Sequence, residues 1–496
     1  MYLYDKKIVG EIKKQSINNF IFSYIGAALG FLNIYLQPNL ISSADIGLLR
    51  LLYSFAWLSA IAMPFGMASI SLRFFPKIKN ESNQHHGFFT LILLVTSIGA
   101  LIIAGFLFLN KPFFISYYKR SPEFSGYFDE AMVFAYVLAL ISVYTVYSSS
   151  LLKTTFTVFL TDVFVRVGQL VLVIIYHYDF IDKRTLVLCY IGIFVVQLLL
   201  LIIYLNRIKA ISFKINWVFY KSLPLKEISY FALLMMFTAF ASLGVKFIDQ
   251  LMIGHFLNEN LVGVYATSVM MCAIMEIPFN SLERIAQPKI SNAWNVGNVN
   301  EVGKIYEMSS RYMFFIGSVL FCLLWAGLDF IFLYLPSEYA QGKMAFYIVS
   351  FSSLLNLLTG VNSSVIMMSH KYFATSFLLF LLIVISYIAN YFLIPVFGIT
   401  GSAIAMVISI GFFNSLKYFY ILIRFKMQPF SRHTGYILIA LVVSISLILL
   451  LPYSLPPFAR FFIGSSFTLI LFSVLNIKFK IIEEVNKVFR SLKIIK

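Results

Sequence analysis

The sequence predicts an all-α polytopic membrane protein. About fourteen transmembrane helices are expected, in two six-helix lobes built as parallel repeats around a central cavity, with two further helices at the C-terminus. Three observations carry the prediction. Apolar runs of 18 or more residues recur along all 496 residues, which are 60% hydrophobic and 12% charged, against about 25% charge in a soluble domain. Lys and Arg alternate in density from one inter-span segment to the next. A sequence frame in Ile46–Ile78 returns from Val262 onward.

The chain begins with Lys6, Lys7, Lys13 and Lys14 interleaved with Ile8, Val9 and Ile12 at helical spacing. This predicts a short helix at 1–16 lying on the membrane surface. The apolar run that follows has no small-residue cleavage site and reads as a retained first span. Spans are placed at roughly 17–37, 48–70, 88–109, 131–150, 158–176 and 186–206. After a linker at 207–227 they continue at roughly 228–256, 261–282, 312–335, 345–369, 373–394, 399–423, 436–452 and 459–476. Lipid offers no partner to backbone N–H and C=O groups, so runs of this length without alternation must be helices.

The basic residues test this count. With both termini cytoplasmic, 28 Lys and Arg fall in cytoplasmic segments, including a group at 417–432. Seven fall in outer loops (Lys111, Lys119, Arg120, Lys183, Arg184, Lys343 and Arg460) and three inside spans. That bias is the positive-inside rule, and one span missed mid-chain would scramble it. The net charge of +17 therefore reports orientation and contact with anionic membrane lipids; no nucleic-acid partner is expected.

Ile46-Gly47, Pro64-Phe65 and Pro76-Lys77-Ile78 recur as Val262-Gly263, Pro278-Phe279 and Pro288-Lys289-Ile290, at offsets of 216, 214 and 212. Ser149-Ser150 matches Ser363-Ser364, again at 214. Six spans per repeat start both repeats on the same side, so they are related by an axis along the membrane normal. The expected divisions are an N-lobe at 1–206, a basic linker at 207–227, a C-lobe at 228–423, and spans 13 and 14 with a basic amphipathic tail at 424–496. Ile481, Val485, Val488 and Leu492 share one face of that tail. Residues 297–311 form a second amphipathic segment.

No enzyme motif is present, so no enzymatic activity, catalytic residue or metal site is expected. Gly297 to Lys304 has one residue too many between its glycines for a phosphate loop and no Ser or Thr after the lysine. The three cysteines, Cys189, Cys272 and Cys322, are scattered and read as packing residues. His85 and His86 read as a solvated pair in a cytoplasmic loop.

Charges inside spans carry more information, because each costs roughly 2.5–3.5 kcal/mol on insertion scales. Arg50 lies in span 2, Arg166 in span 5 and Lys246 in span 7. Asp162 precedes Arg166 by four residues and Asp249 follows Lys246 by three, spacings that suit intrahelical pairs. Two readings stand. One is two internal ion pairs and a snorkelling Arg50. The other is a cationic cavity of Arg50, Arg166 and Lys246 holding an anionic headgroup such as a pyrophosphate, to which the guanidinium fork is suited. Glu276 and Asp329 lack an obvious partner. Glu276 is a candidate proton or sodium site, with Asp249 as a second ion-coupling candidate; otherwise Glu276 is a neutral or water-solvated acid.

Asn19, Ser23, Gly26, Gly30, Asn33 and Gln37 share one face of span 1. The glycines permit close helix approach, and Asn33 and Gln37 are expected to line a polar cavity. Arg50, Tyr53, Trp57 and Pro64 share a face of span 2. Rings beside a cation suit a sugar phosphate, and equally suit an interfacial aromatic belt. Pro64 and Pro278 occupy matching places in the repeats and are candidate hinges, since proline frees a carbonyl and bends a helix.

With these features in hand, the chain resembles the polysaccharide flippases. These are the Wzx-type O-antigen and capsule repeat-unit exporters of the multidrug/oligosaccharidyl-lipid/polysaccharide superfamily. The segments Asp249-Gln-Leu-Met-Ile-Gly254 with Val262-Gly263-Val264-Tyr265, and Asp45-Ile-Gly with Pro64-Phe65-Gly66, carry the resemblance. It implies a V-shaped, two-lobed, monomeric helical transporter of the bacterial inner membrane. It further implies transfer of undecaprenyl-pyrophosphate-linked oligosaccharide (O-antigen, lipopolysaccharide, capsule or exopolysaccharide units) to the outer leaflet, driven by an H+ or Na+ gradient. Polysaccharide polymerase and glycosyltransferases are the implied partners.

Three rivals share the observations in part. A drug-extruding antiporter of the same superfamily commonly uses an acid in its N-lobe spans; span 1 here has none. A lipid II flippase is also fourteen-spanned and cationic inside. A polymerase or ligase acting on lipid-linked sugars usually needs a large outer loop, and the longest here, at 110–130, is too short for a catalytic domain.

Overall fold

A computed structural model describes residues 2–80, 84–208, 215–221, 224–369, 371, 373–452 and 454–482. Every regular element among them is helical. Twelve helices are long and apolar enough to cross a bilayer, and the difference from fourteen has two local causes. Spans 11 and 12 form one stretch, Phe373–Phe425, that reverses at Gly398 (φ 59, ψ −140). Span 10 is divided into Lys343–Leu358 and Asn362–Met367 by a turn in which Gly360 has φ 57. The chain is a multi-pass membrane protein.

Span 1 is continuous with the expected surface helix: a single helix runs Tyr2–Leu40. The amphipathic segment at 297–311 likewise continues into span 9 as Val299–Phe332. Of the tail, Ile481 is buried, and Val485, Val488 and Leu492 lie outside the described residues.

The chain divides into two compact units, Met1–Ala266 and Thr267–Lys496. The lobe boundaries expected at 206 and 228 follow the repeat, whereas compactness follows packing. Span 7, Leu225–Phe256, lies along span 2, Ser43–Ala62, within the first unit. Ser54 donates to Gln250 (2.8 Å), and Gly254 leaves room for the Leu51 side chain. Span 2 is the most enclosed helix there: Leu48, Leu51, Leu52 and Ala56 are fully buried, and Phe55 meets Phe114, Phe124 and Phe128 edge-on or tilted.

The candidate hinge Pro64 lies in a break between two helices. The helix does not bend there; it stops at Ala62, and Phe65 (φ 45) and Gly66 (φ 76) turn left-handed before Met67–Ile78 begins. A Cβ on Gly66 would strike the Ala232 backbone of span 7, and one on Gly99 the Met63 carbonyl. The break lets three backbones meet. In the second repeat a 3-10 turn, Ala273–Met275, separates Glu259–Cys272 from Glu276–Asn295. Pro278 sits in the first turn of the latter helix, where a missing N–H costs little.

In the second unit Val299–Phe332 is the central helix. Spans 13 and 14, Arg432–Leu450 and Pro457–Phe479, pack on it through Phe321, Ala326, Ile437, Ala440, Leu441 and Phe472. They share the core of this unit.

Candidate transport site

Span 5, Thr155–His177, contains a π-helical turn at Phe159–Phe164, a distortion common at functional positions. It presents Asp162 and Arg166 to the polar stripe of span 1. Asn19 donates to Thr154 (2.8 Å), Ser23 donates to the Asp162 carboxylate (2.9 Å), and Arg166 Nη1 donates to the Gly26 carbonyl. Asn33 is 3% exposed and its amide donates to the Leu29 and Arg166 carbonyls; Gln37 donates to Asn33 Oδ1 (2.8 Å).

Two expectations change here. The Asp162–Arg166 pair does not form, because span 1 engages each group separately. Asn33 does not line a cavity, because it is consumed in holding span 1 to span 5. Gly26 and Gly30 serve this approach: a Cβ at 26 would lie 2.7 Å from the Asp162 carbonyl oxygen, and one at 30 would lie 2.6 Å from Arg166 Nη1.

Arg50 and Arg166 both lie inside spans of the first unit. Both guanidinium groups lie within electrostatic reach of the Tyr53 hydroxyl, and Arg50 also reaches Tyr190. Arg50 and Tyr53 are half-buried. The Tyr53 ring is enclosed by Trp57, Phe134, Phe194 and Phe247, at centroid distances of 6.3, 6.2, 5.9 and 5.9 Å. Two cations thus lie within electrostatic range of an aromatic cluster inside the spans of the first unit.

Lys246 adjoins this cluster in sequence through Phe247, but its own side chain is exposed. Asp249 is buried and accepts a hydrogen bond from Tyr265 (2.9 Å). Glu276, the other ion-coupling candidate, is exposed. Asp329 does have partners: Lys343 (3.1 Å) and Arg460 (2.7 Å).

Sequence reasoning missed a second buried cation. Lys417 counted as cytoplasmic, yet it is 2% exposed within the second unit. Its Nζ donates to Ser363 (3.0 Å) and lies 3.9 Å from the centre of the Phe413 ring. Ser364 donates to Glu283 (2.6 Å), and Asn362 and Thr359 both donate to Asn414 Oδ1 (2.9 and 3.0 Å). The broken span 10 supplies these groups. The one available signal was the Ser363-Ser364 match to Ser149-Ser150, whose second copy now sits against Lys417 and Glu283.

The histidines and cysteines also differ from expectation. His85 is buried and accepts from the Asn80 N–H (3.2 Å), and His86 stacks on Phe219 at 3.9 Å. His86 ties a loop to residues 216–219, its carbonyl also accepting from the Asn216 N–H (3.1 Å), and His85 is not solvated. Cys272 and Cys322 are buried, but Cys189 is exposed.

No family model matches this chain, and no curated protein does. Solved structures do. The lipid II flippase MurJ, in an inward closed conformation, aligns with a TM-score of 0.73 over 96% of this chain and 99% of its own, at 13% identity. An inward-facing multidrug resistance MATE family transporter of the MOP superfamily aligns with a TM-score of 0.59 at 16% identity, over 80% of this chain and 94% of its own. A MOP superfamily transporter from Pyrococcus furiosus, described as having a binding pocket of reverse polarity, aligns at 0.58 and 15% identity, over 84% and 95%. These likenesses do not single out the polysaccharide-flippase branch; they show that the chain has the fold of the MOP transporters.

Proposed function

We propose that this protein is a transporter that flips an undecaprenyl-pyrophosphate-linked oligosaccharide from the cytoplasmic to the outer leaflet of the bacterial inner membrane, by alternating access and with both termini cytoplasmic. The observation that supports this reading most is that Arg50 and Arg166 both lie within electrostatic range of the Tyr53 hydroxyl inside the spans. Two guanidinium groups held in a low-dielectric region favour an anionic cargo, and rings beside them suit a sugar phosphate. The same placement disfavours a cationic drug. An H+ or Na+ gradient is the proposed driving force, with Asp249 and Glu276 as the acids to test first.

Lipid II is the second cargo to consider, since it presents the same pyrophosphate and the fold aligns with MurJ over 99% of that chain. Two cell assays separate them. Deletion should abolish surface polysaccharide, and Arg50→Gln and Arg166→Gln should each reduce it without loss of membrane-inserted protein. Normal surface polysaccharide in the deletion strain, with rescue of cells depleted of their lipid II flippase, would move the assignment to lipid II.

A further inference from the structure

The break in span 10 organises a buried polar network in the second unit that transport of an anionic cargo leaves unused. Lys343–Leu358 ends, the chain turns at Gly360, and Asn362–Met367 begins. The break is held in place by span 9. A Cβ on Gly360 would strike the Ser310 backbone, the Val361 N–H donates to Ser309 Oγ (3.3 Å), and Ser310 donates to the Leu358 carbonyl (2.6 Å). Backbone groups freed by the break are thereby satisfied, as a membrane-spanning segment requires.

Lys417 of Phe373–Phe425 ends this network where a charge is costly. It is 2% exposed, and none of the ion pairs among the described residues includes it. An ammonium has three N–H donors. One meets Ser363 Oγ (3.0 Å), and the centre of the Phe413 ring lies 3.9 Å away. An ammonium withdrawn from water persists only while something offsets its lost hydration. Among the described residues Glu283, half-buried on Glu276–Asn295, is the one charged group within electrostatic reach of it. Ser364 donates to that carboxylate (2.6 Å).

The other elements around Lys417 bring no competing charge. Asn362–Met367 contains no titratable residue. Lys343–Leu358 carries Lys343 and Tyr347 in its first two turns, away from the break. Tyr306 of span 9 faces Tyr418.

The charged and neutral forms of Lys417 ask different things of Ser363. The ammonium only donates, so Ser363 accepts from Nζ and turns its own O–H to Asn362 Oδ1 (3.4 Å). The amine has a lone pair, so the Ser363 O–H can turn to Nζ and release Asn362. Asn362 donates to Asn414 Oδ1 (2.9 Å), and Asn414 donates to Asn356 Oδ1 (3.2 Å), on the helix before the break. One proton is therefore felt on both halves of span 10.

We propose that Lys417 is the site that binds and releases the coupling proton, with Glu283 as the positioning residue that favours the bound form. On binding, a proton from water joins the Nζ lone pair; on release it returns to water, and no other covalent bond changes. The proposal rests on the reading that an ion gradient drives transport.

Two measurements on the full-length protein test it. The first needs no cargo: hydrogen exchange in detergent, read by mass spectrometry from mildly acidic to mildly alkaline pH and corrected for intrinsic exchange. In wild type, protection of 356–367 should change in a single-proton step. Lys417→Gln, held neutral, and Lys417→Arg, held charged, should both abolish the step. Glu283→Gln should move it to lower pH, because the charge that favours the ammonium is gone; this variant decides if Lys417→Gln fails to fold. No step in wild type, or the same step in Lys417→Gln or Glu283→Gln, would overturn the proposal. The second is flipping of the lipid-linked oligosaccharide in proteoliposomes. With one proton coupled, the steady-state ratio between leaflets should rise about tenfold per unit of imposed pH gradient. Lys417→Gln should still equilibrate the leaflets but no longer respond to the gradient. A full response in that variant would also overturn the proposal. Absence of flipping in wild type would strike the transport reading instead and leave the exchange result to decide the proton site.

Discussion

Gly47 and Gly263, the glycines of the two repeated frames, face each other across a helix crossing. A Cβ on Gly47 would strike the Glu259 carbonyl oxygen, and a Cβ on Gly263 would strike that of Ser43. Residues 43 and 47 stand 216 positions before 259 and 263, the offset that relates the Ile46-Gly47 and Val262-Gly263 pairs. The contact is therefore reciprocal. Each repeat's glycine receives the carbonyl four residues earlier on the other's helix, as in a two-fold contact. Ser43 adds a hydrogen bond to Asn260 (2.7 Å).

Substitution at this crossing should be costly in either repeat. Gly47→Ala and Gly263→Ala each place a methyl group against backbone that has no rotamer to yield, and should destabilise by about 1–3 kcal/mol. Gly105→Ala is the control: nothing lies within 4 Å of its Cβ, and alanine should gain up to about 1 kcal/mol there through helix propensity. Thermal unfolding of the purified variants checks the order.

The two glycines of span 1 should behave differently from each other. Gly26→Ala meets the Asp162 backbone, so stability should fall. Gly30→Ala meets the tip of Arg166, which can swing aside. Its unfolding temperature should change little while transport falls, because Arg166 leaves its place beside Gly26. Equal loss of stability in both variants would show that Arg166 cannot move.

Contacts at one end of the first unit should control access to that end. Lys183 bridges Asp45 (3.0 Å) and Glu123 (2.8 Å), Glu259 accepts from the Glu123 and Phe124 N–H groups, and Ser121 donates to the Gly254 carbonyl (2.7 Å). Ser121 is fully buried. On a background lacking the native cysteines, Ser121→Cys should label slowly with a membrane-impermeant maleimide, and Lys183→Gln should speed labelling at least about tenfold, as one lost charge-assisted bond allows. An unchanged rate would mean that apolar packing alone shields Ser121.

Lys417 and Glu283 should be coupled through the network around Ser363 and Ser364. In a double-mutant cycle, Lys417→Gln and Glu283→Gln together should cost less than the sum of the single changes, with an interaction energy of about 0.5–3 kcal/mol. Additive losses would show two independent buried groups.

The fold class was legible because hydropathy, basic-residue alternation and the repeated frame are one-dimensional signals of a one-dimensional constraint: a bilayer of fixed thickness. Side-chain partners were not legible, because they depend on which helices touch. The i,i+4 spacing of Asp162 and Arg166 pointed to each other, yet Ser23 and Gly26 on span 1 compete better. Asp329 had no partner within its helix and found two beyond it. Lys417 was counted with the cytoplasmic group at 417–432 although it falls inside the span placed at 399–423, and hydropathy alone does not say that Ser363 and Phe413 enclose it. Pro64 marked the right place, but the helix breaks there, where the backbones of Ala232 and Met63 come close to Gly66 and Gly99. Gly47 and Gly263 were visible as repeat markers, and only the structure shows why neither can carry a side chain.

The central claim is that guanidinium groups inside the first unit hold an anionic cargo. Its most direct test is flipping of undecaprenyl-pyrophosphate-linked oligosaccharide in proteoliposomes, with wild type, Arg50→Gln, Arg166→Gln and the double variant reconstituted at equal protein content. Each single substitution should slow flipping by at least about tenfold, as expected for one lost charge-assisted phosphate contact, with unfolding temperatures near wild type for Arg50→Gln. Flipping at the wild-type rate in the double variant would contradict the account.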